Sequence, residues 1–418
     1  MTLAERWQEI RTGFQPTFWI ANTLELFERL AYYGSKAVLT VFLANKVGLN
    51  EEAGFLAGLF NAVLYSLPIV AGVFVDKYGF RRTLMACFAI FCVGYFLIGL
   101  AGMEYGQAIV DVVGKRNYLL AVLMLTAVGG SLIKPCVVGT VAKTTTERTQ
   151  ALGYSIYYTL VNLGGAIGPM IAYYVRSDLG IEYVLVMSSI TSLLLLIGAW
   201  AFFKEPGGEP TEVKTFGKVF GDMLLVFKNL KFMSFLLIFS GFWMMFWQIF
   251  YSFPFYVTDV LKYEAFEFLE TVDAFTIIII TIPVTAAVSK LRPVVAIILG
   301  FSIASLSWII IGAGGTILAA IIGVATFALG EATQAPRFYE YVSSLAPKDQ
   351  VGTFMGFAFL PVAIGSFSAG MIADYLRLSY LDTNPAMMWY TLSGIGIVST
   401  LLMVVYNAVV SRSSTQPS

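Results

Sequence analysis

A stripe of charged side chains lies within the first apolar segment of the chain. Residues 16–43 are otherwise apolar enough to cross a bilayer, but they contain five polar residues that share one helix face: Glu25, Glu28, Arg29, Tyr32 and Lys36. At 100° per residue, these side chains occupy roughly one third of the helix circumference. A charge at the bilayer centre costs about 3 kcal/mol or more, so we expect the stripe to face a protein interior or a water-filled path.

The chemistry open to this stripe is proton transfer by carboxylates. The sequence has no histidine, the side chain that most commonly exchanges protons near neutral pH. Burial favours the protonated form of a carboxylic acid, so Glu25 and Glu28 are the candidates, with Arg29 one turn after Glu25. The alternative is an ion-pair cluster that only fixes helix packing, but such a pair needs two charges and the stripe has four.

Two further charges interrupt apolar segments later in the chain. Lys134 and Pro135 lie in the fourth such segment, and Glu331 and Pro336 lie in the tenth. A cation in one half of the chain and an anion in the other predict a cavity that binds a zwitterion, with an amine at one end and a carboxylate at the other. A salt bridge without a ligand role is the alternative, although a permanent bridge would oppose the opening of the cavity.

The composition indicates an all-α integral membrane protein. Of the 418 residues, 58% are hydrophobic and 12% are charged, whereas a soluble domain has about 25% charged residues. Segments near the length that spans a bilayer recur twelve times. We place these transmembrane helices at 16–43, 52–75, 83–103, 118–142, 151–175, 182–203, 231–258, 269–289, 293–312, 316–343, 352–376 and 386–410.

The charged residues and the cysteines restrict orientation and partners. Most of the 26 lysines and arginines lie in connections on the side of both termini, which predicts that both termini are cytoplasmic. Acidic and basic residues balance at 26 each, so there is no net field to attract nucleic acid. The three cysteines lie in apolar segments without the spacing of metal ligands, so no metal site is expected.

A polar connection divides the twelve segments into two sets of six. Residues 204–230 begin with a segment rich in proline and glycine and continue into an amphipathic helix for the cytoplasmic membrane surface at Phe216–Phe227. We therefore predict an N-terminal six-helix bundle over 1–203, this linker, and a C-terminal six-helix bundle over 231–418. In such a two-bundle transporter, the substrate path lies between the bundles.

The connection after the second segment has a specific pattern. It reads Gly72-Val-Phe-Val-Asp76-Lys77-Tyr-Gly79-Phe-Arg81-Arg82, which resembles the cytoplasmic signature of the major facilitator superfamily. Glycines permit a tight turn, the acid can pair with a neighbouring helix end, and the cations hold the loop in the cytoplasm. We expect these residues, with Pro135 and Pro336, to serve the conformational change; a generic basic loop is the alternative.

Several motifs together resemble the proton-coupled oligopeptide transporter family of that superfamily. The first helix reads Glu25-x-x-Glu28-Arg29-x-x-Tyr32-Tyr33-Gly34, and the fourth contains Lys134-Pro135. Further matches are Tyr65-Ser-Leu-Pro68 in the second helix, Tyr157-Tyr158-x-x-x-Asn162-x-Gly164 in the fifth, Gly330-Glu331 and Pro336 in the tenth, and then Ala346-Pro347-Lys348 and Met355-Gly356. The matches cover both halves in the family's order, which makes their conjunction more specific than any one motif.

The resemblance implies a role for each matched residue. The proton-coupling cluster would be Glu25, Glu28, Arg29 and Lys134. The cations that neutralise the substrate carboxylate would be Arg29, Lys36 and Lys134, the groups that hold its amino terminus would be Glu331 and Asn162, and the cavity would be lined by Tyr32, Tyr33 and Tyr65. Four features depart from the family. Lys36 replaces the usual arginine and so offers a point charge, and Arg337 adds a cation close enough to Glu331 to pair with it. The seventh helix, at Phe246-Trp-Gln-Ile-Phe-Tyr251, keeps only part of the family's polar pattern, and the eleventh has Phe359 where a pocket tryptophan is common.

The leading hypothesis is a proton-driven symporter that imports di- and tripeptides across the cell membrane by alternating access. The alternatives are a carrier of another small zwitterion, organic anion or drug, and a non-transporting sensor or scaffold with the same fold. Without a histidine, a serine–base arrangement or a glycine-rich phosphate loop, an enzyme is not expected. The expected partners are a small peptide, protons and the lipid bilayer; no cofactor, metal, nucleic acid or obligatory protein partner is expected.

Overall fold

The structure is a computed structural model that describes residues 13–146, 148–207, 216–347 and 350–413. Its described residues form helices, turns and loops, without a strand among them. Contacts divide the chain into two compact units. Unit 1 comprises the described residues within Met1–Lys36 and Leu67–Val219, and unit 2 comprises those within Ala37–Ser66 and Phe220–Ser418.

The helices follow one another with short connections. In chain order they are α1 (Pro16–Val41), α2 (Ala53–Ser66), α3 (Pro68–Tyr78), α4 (Phe80–Leu100), α5 (Gln107–Val113), α6 (Lys115–Ser131), α7 (Ile133–Thr144), α8 (Gln150–Asp178), α9 (Ile181–Phe202), α10 (Phe216–Phe227), α11 (Leu230–Phe246), α12 (Gln248–Tyr251), α13 (Phe253–Phe255), α14 (Phe266–Val288), α15 (Pro293–Gly314), α16 (Ile317–Leu345), α17 (Val351–Phe357), α18 (Leu360–Tyr380) and α19 (Pro385–Ser413). Single π-helical turns extend α1 over Phe42–Lys46 and α13 over Tyr256–Val260.

Proline and glycine explain where several of these helices break. Pro68 begins α3, and the axis bends by 49° between α2 and α3. Pro135 is the third residue of α7, and its ring cannot coexist with a regular hydrogen bond to the carbonyl of Ser131, so the long span from α6 to α7 is interrupted at Leu132. Gly79 separates α3 from α4 with a positive φ of 84°, a conformation that glycine adopts without a steric penalty.

All twelve predicted segments coincide with helices. Among the described residues, nine helices or joined helices are long and apolar enough to cross a membrane, and the bent pair α2–α3 brings the number to ten. The other two predicted segments correspond to α1 and α8, which have 26 and 29 residues. The charges of α1 and the many tyrosines and glycines of α8 lower their hydropathy, so the exact number of twelve spans stays a prediction.

The predicted linker and bundle boundaries meet the structure only in part. Residues 208–215 of the linker lie outside the described residues. The rest of it contains α10, at the predicted bounds of the amphipathic helix, with Phe220 and Leu224 more than half exposed. Residues 37–66 group with the second half of the chain, whereas the predicted N-terminal bundle contains them. The bundle boundaries at 203 and 231 remain predictions.

Candidate functional site

Glu25, Glu28 and Arg29 form a buried cluster on one face of α1. Their exposed fractions are 1%, 1% and 4%. Arg29 Nε lies 3.5 Å from Glu25 Oε1 and donates a hydrogen bond to Glu28 Oε2. Within the described part of the chain, Glu25 Oε2 and Glu28 Oε1 have no hydrogen-bond partner. Two buried carboxylates therefore share one guanidinium group, and each keeps an oxygen atom that is able to take a proton.

Tyr157 of α8 connects this cluster to Lys134 of α7. Its hydroxyl group donates to Glu25 Oε1 at 3.4 Å and accepts from Lys134 Nζ at 3.5 Å. The Lys134 ammonium also lies 6.0 Å from the centroid of the Tyr157 ring. Lys134 is the predicted partner of the glutamates, and the structure places Tyr157 between it and Glu25. Sequence analysis did not assign Tyr157 a role, although it is part of the fifth-helix motif.

Two tyrosines surround the cations of α1. The Arg29 guanidinium carbon lies 4.6 Å from the centroid of the Tyr32 ring and 6.0 Å from that of Tyr33. Lys36 Nζ lies 5.3 Å from the centroid of the Tyr33 ring. The faces of aromatic rings attract cations, and more strongly where water is excluded, so these rings stabilise the charges of Arg29 and Lys36.

Glycines bring α8 against the charged face of α1. A Cβ atom added to Gly164 would lie 2.5 Å from Cβ of Arg29, and one added to Gly168 would lie 2.6 Å from the carbonyl oxygen of Leu30. Gly34 faces Gly168 in the same way, since a Cβ atom added to Gly34 would lie 3.0 Å from the carbonyl oxygen of Gly168. The two backbones approach so closely that larger residues would separate them. The glycine of the fifth-helix motif thus allows Tyr157 to reach Glu25.

The other polar residues of the fifth-helix motif, Tyr158 and Asn162, are more exposed than Tyr157. Tyr157 is 7% exposed and Tyr158 is 50% exposed, so the two adjacent tyrosines of the motif point to different surroundings. Asn162 Nδ2 donates to the carbonyl oxygen of Tyr158 at 2.9 Å, a hydrogen bond within its own helix. Its assignment to the substrate amino terminus remains a prediction.

Unit 2 contains Tyr65 and Glu331, the two other residues that were predicted to contact substrate. Tyr65 lies in the last turn of α2, with its ring centroid 5.9 Å from that of Trp247. One turn earlier, Asn61 Nδ2 donates to the hydroxyl group of Tyr251 at 2.9 Å. These contacts fix α2 against the segment from Trp247 to Tyr251, where sequence analysis found only part of the family's polar pattern.

Glu331 lies in the middle of α16 at a close helix–helix contact. A Cβ atom added to the preceding residue, Gly330, would lie 2.6 Å from the carbonyl oxygen of Gly300 in α15. The predicted pairing of Arg337 with Glu331 is wrong: Arg337 Nη1 lies 2.5 Å from Glu340 Oε2, and its other terminal nitrogen donates to the carbonyl oxygen of Leu291. Residues three apart share a helix face, whereas residues six apart do not.

The loop between α3 and α4 is capped by an acid from a distant part of the chain. The carboxylate of Glu205 accepts hydrogen bonds from the backbone nitrogens of Phe80 and Arg81, at 2.6 and 2.9 Å. Because the first N–H groups of a helix lack partners within the helix, this carboxylate stabilises the start of α4. A side chain at Gly79 would be strained because φ is 84°, and its Cβ atom would also lie 2.8 Å from Glu205 Oε1. Asp76, the acid of the predicted pattern, is exposed.

The remaining residues of the predicted gating set lie in α3, α4 and α16. Arg81 donates to the carbonyl oxygen of Trp200. Lys77 Nζ lies 5.1 Å from the ring centroid of Tyr78, and Arg82 is exposed. Gly72 has open space around its α-carbon. Pro336 lies inside α16, five residues after Glu331. Their gating role remains a prediction.

Unit 1 thus assembles most of the predicted site. It brings together Glu25, Glu28, Arg29, Tyr32, Tyr33, Lys36 and Lys134, and it adds Tyr157. Tyr65 and Glu331 belong to unit 2. Unit 1 thus places two buried carboxylates that are able to exchange a proton together with three cations, Arg29, Lys36 and Lys134.

Comparisons with known sequences agree with these motifs. The profile of the Major Facilitator Superfamily matches residues 24–370. "Dipeptide and tripeptide permease B" of Aliivibrio fischeri (strain MJ11) is 28% identical over 185 residues, which cover 43% of this chain and 34% of that protein. The protein of the same name from Shigella dysenteriae serotype 1 (strain Sd197) is 28% identical over 200 residues, covering 46% of this chain and 39% of that protein. The chain thus matches well under half the length of these curated relatives.

Comparison with solved structures establishes the fold. A crystal structure of a POT family transporter in complex with a thioalcohol conjugated peptide has a TM-score of 0.77 to this structure. Its sequence is 15% identical, and the match covers 96% of each chain. The chain is therefore a multi-pass membrane protein with the fold of these transporters.

Proposed function

Because this chain belongs to the Major Facilitator Superfamily, we propose that it is a proton-coupled symporter that imports di- and tripeptides across the cell membrane by alternating access. The matches to dipeptide and tripeptide permeases support the choice of cargo. A symporter moves its substrate without altering it, so no enzymatic activity is proposed. The cluster of Glu25, Glu28 and Arg29 is the observation on which the proposal depends.

The cluster supports proton coupling through competition for one cation. Arg29 contacts both glutamates, and the hydroxyl group of Tyr157 links Lys134 to Glu25. Two buried carboxylates with one adjacent guanidinium group carry an excess of negative charge, which favours the uptake of a proton by one of them. When the carboxylate of an arriving peptide draws Arg29 or Lys134 toward itself, that tendency increases, and proton and peptide bind together.

The charged ends are the parts that all peptides share. We propose that Arg29, Lys36 and Lys134 bind the carboxylate, that Glu331 and Asn162 bind the amino terminus, and that Tyr32, Tyr33 and Tyr65 contact the side chains. Tyr32 and Tyr33 already flank the cations of α1, so a bound carboxylate would meet charges that are held in position. Side chains of many kinds can contact aromatic rings, which suits a carrier of varied peptides.

A second candidate cargo is another small organic anion or zwitterion. Lys36 favours it, because an ammonium group does not require the planar geometry that a guanidinium group recognises in a carboxylate. Competition by unlabelled compounds separates the two: peptides with free ends should compete with a labelled dipeptide, whereas single amino acids and organic anions should not.

The decisive experiment is uptake of a labelled dipeptide into liposomes that contain the purified protein. With an acidic exterior, the dipeptide should accumulate above its external concentration, and a protonophore should abolish the accumulation. The exposed acid Glu104 provides a control variant, Glu104→Gln, that should accumulate the dipeptide normally. Uptake that never exceeds equilibration, with or without the gradient, would refute the proposed coupling.

A further inference from the structure

A buried carboxylate of α18 caps the N-terminus of α2. The backbone nitrogens of Gly54 and Phe55 donate to Asp374 Oδ1 and Oδ2, each at 2.8 Å. Asp374 is 7% exposed. These two N–H groups belong to the first turn of α2, where no partner exists within the helix, and a negative charge at that end also complements the helix dipole.

Arg377 completes the contact one turn along α18. It donates to the side-chain oxygen and to the backbone oxygen of Asn50, in the connection before α2. It also lies 3.5 Å from Asp374 Oδ1 and 4.6 Å from the centroid of the Phe255 ring. Arg377 is 6% exposed. One acid and one base of α18 thus hold the whole start of α2.

Further along the two helices, glycines bring the backbones of α2 and α18 into direct contact. A Cβ atom on Gly54 would lie 2.5 Å from the carbonyl oxygen of Gly370, and one on Gly58 would lie 2.7 Å from that of Ser366. Gly370 faces Gly54 with even less space, since its own Cβ would lie 2.1 Å from the Gly54 carbonyl oxygen. The helices meet backbone to backbone at these three glycines, and the rings of Phe55 and Phe367 pack beside them with centroids 5.9 Å apart.

The composition of this contact suits an interface that opens and closes. Buried charges regain their hydration when they are exposed to water, so a contact made of an ion pair and helix N–H groups separates at a lower cost than an apolar one of equal size. The same hydrogen bonds fix one arrangement of the two helices when they are together. Asp374 and Arg377 therefore both fix the closed arrangement of α2 on α18 and allow the two helices to separate.

The position of the contact in the predicted layout gives it a function. α2 begins the second predicted membrane segment and α18 ends the eleventh, and both ends lie on the side opposite the two termini. The two helices belong to different predicted bundles, although they pack together in unit 2. α2 also carries Tyr65, a residue proposed to contact substrate.

We propose that Asp374 and Arg377 form a latch that closes the outer end of the transport path by holding α2 on α18, and that α2 must leave this latch before a peptide can bind from outside. The inference rests on the alternating-access part of the proposed function and not on the identity of the cargo. Asp374 acts through the position of α2 and does not itself contact substrate.

The test measures access to the covered face of α18 in the absence of any substrate. Ser366 is fully buried there, so Ser366→Cys provides a reporter once Cys87, Cys92 and Cys136 are replaced by alanine. A membrane-impermeant maleimide added outside intact cells should label this cysteine slowly. Asp374→Asn removes the charge and one acceptor, and it should raise the labelling rate about tenfold, since a charge-assisted hydrogen bond is lost.

A second variant reaches the same contact by a different route. In Gly54→Ala, the added methyl group meets the carbonyl oxygen of Gly370, so α2 should leave α18 more often and labelling should again be faster. Alanine is well tolerated near the start of a helix, so this variant decides the question alone if Asp374→Asn does not fold.

Matched controls separate the latch from general loosening of the fold. Asp382→Asn changes an exposed acid in the loop after α18, and Gly394→Ala adds a methyl group where the structure has open space. Both should label at the parental rate. Parental rates in Asp374→Asn and Gly54→Ala, or faster labelling in all four variants, would overturn the latch. Because no peptide is present, a failure of the proposed peptide specificity cannot produce either result.

Discussion

The hydroxyl group of Tyr157 lies 3.4 Å from Glu25 Oε1 and donates a hydrogen bond to it. The hydroxyl oxygen of Tyr157 also accepts a hydrogen bond from Lys134 Nζ at 3.5 Å. One side chain therefore joins the glutamate of α1 to the lysine of α7. A proton that binds Glu25 removes the acceptor charge at one end of this chain of hydrogen bonds, and the change reaches Lys134 through Tyr157.

Tyr157→Phe should weaken coupling without preventing substrate binding. The variant keeps the ring and its packing but removes the hydroxyl group that joins Lys134 to Glu25. A lost hydrogen bond between a neutral and a charged group corresponds to roughly a tenfold effect, so we expect about tenfold less uphill uptake. The measurement is the ratio of dipeptide accumulation to dipeptide exchange in liposomes. The control is Tyr183→Phe, which changes an exposed tyrosine of α9, and equal ratios in both variants would contradict a role for Tyr157.

The charged stripe of α1 was predictable because it depends on one helix. The positions of Glu25, Glu28 and Arg29 on one face follow from the helical period alone, and the structure confirms that this face is buried. Tyr157 was missed for the converse reason. Its motif has two adjacent tyrosines, and only the packing of α8 on α1 through Gly164 and Gly168 decides which of them reaches the cluster.

Contacts between segments distant in sequence were not predictable. Glu205, not Asp76, provides the carboxylate at the start of α4, and nothing local to Glu205 indicates which helix it caps. The contact of Asp374 with Gly54 likewise joins residues more than 300 positions apart. A capping side chain on the same segment leaves a local pattern, but one that comes from another helix does not.

Gly168→Ala should destabilise the protein by separating α8 from α1. The new methyl group would lie 2.6 Å from the carbonyl oxygen of Leu30 and 3.1 Å from the backbone nitrogen of Gly34. Both neighbours are backbone atoms that cannot rotate away. Overpacking of this kind costs about 1–3 kcal/mol, which corresponds to a fall in melting temperature of about 3 °C or more.

The measurement for Gly168→Ala is thermal unfolding in detergent, compared with Gly394→Ala. Gly394 has open space around its α-carbon, so its alanine variant should melt at or slightly above the parental temperature. An unchanged melting temperature for Gly168→Ala would show that α8 and α1 can move apart to accept the methyl group without loss of stability, which would contradict the prediction.

Glu331→Gln should weaken the binding of a dipeptide more than that of its N-acetylated form. If the carboxylate of Glu331 binds the substrate amino group, its removal leaves that charge without a partner, which costs roughly 100-fold in affinity. An acetylated dipeptide has no such charge and should lose little. Arg337 does not complicate the interpretation, because it pairs with Glu340.

Binding of both ligands is measured by competition with a labelled dipeptide. Asp382→Asn is the control, because it removes an exposed acid in the loop after α18, outside the proposed site. It should leave both affinities unchanged. Equal losses for the two ligands in Glu331→Gln would show that Glu331 acts on the structure and not on the amino terminus.

Glu25→Gln and Glu28→Gln should separate exchange from accumulation. A proton-driven carrier must bind and release a proton in each cycle, and with no histidine in the sequence these buried glutamates are the proposed sites. Glutamine resembles the protonated acid, so a substrate-loaded carrier is still able to change conformation, and peptide-for-peptide exchange should continue. Accumulation against a gradient requires the proton to leave, which glutamine prevents, so uphill uptake should fall to the level of liposomes without protein.

Each variant is measured in the same liposomes, first with labelled dipeptide inside and unlabelled dipeptide outside, and then with a pH gradient and no internal peptide. Glu104→Gln, which changes an exposed acid outside the cluster, should perform both reactions normally. If only one of the two glutamine variants loses accumulation, that glutamate binds the proton and the other holds Arg29 in place. If both still concentrate the dipeptide, the proton binds elsewhere, and Glu331 becomes the next residue to replace.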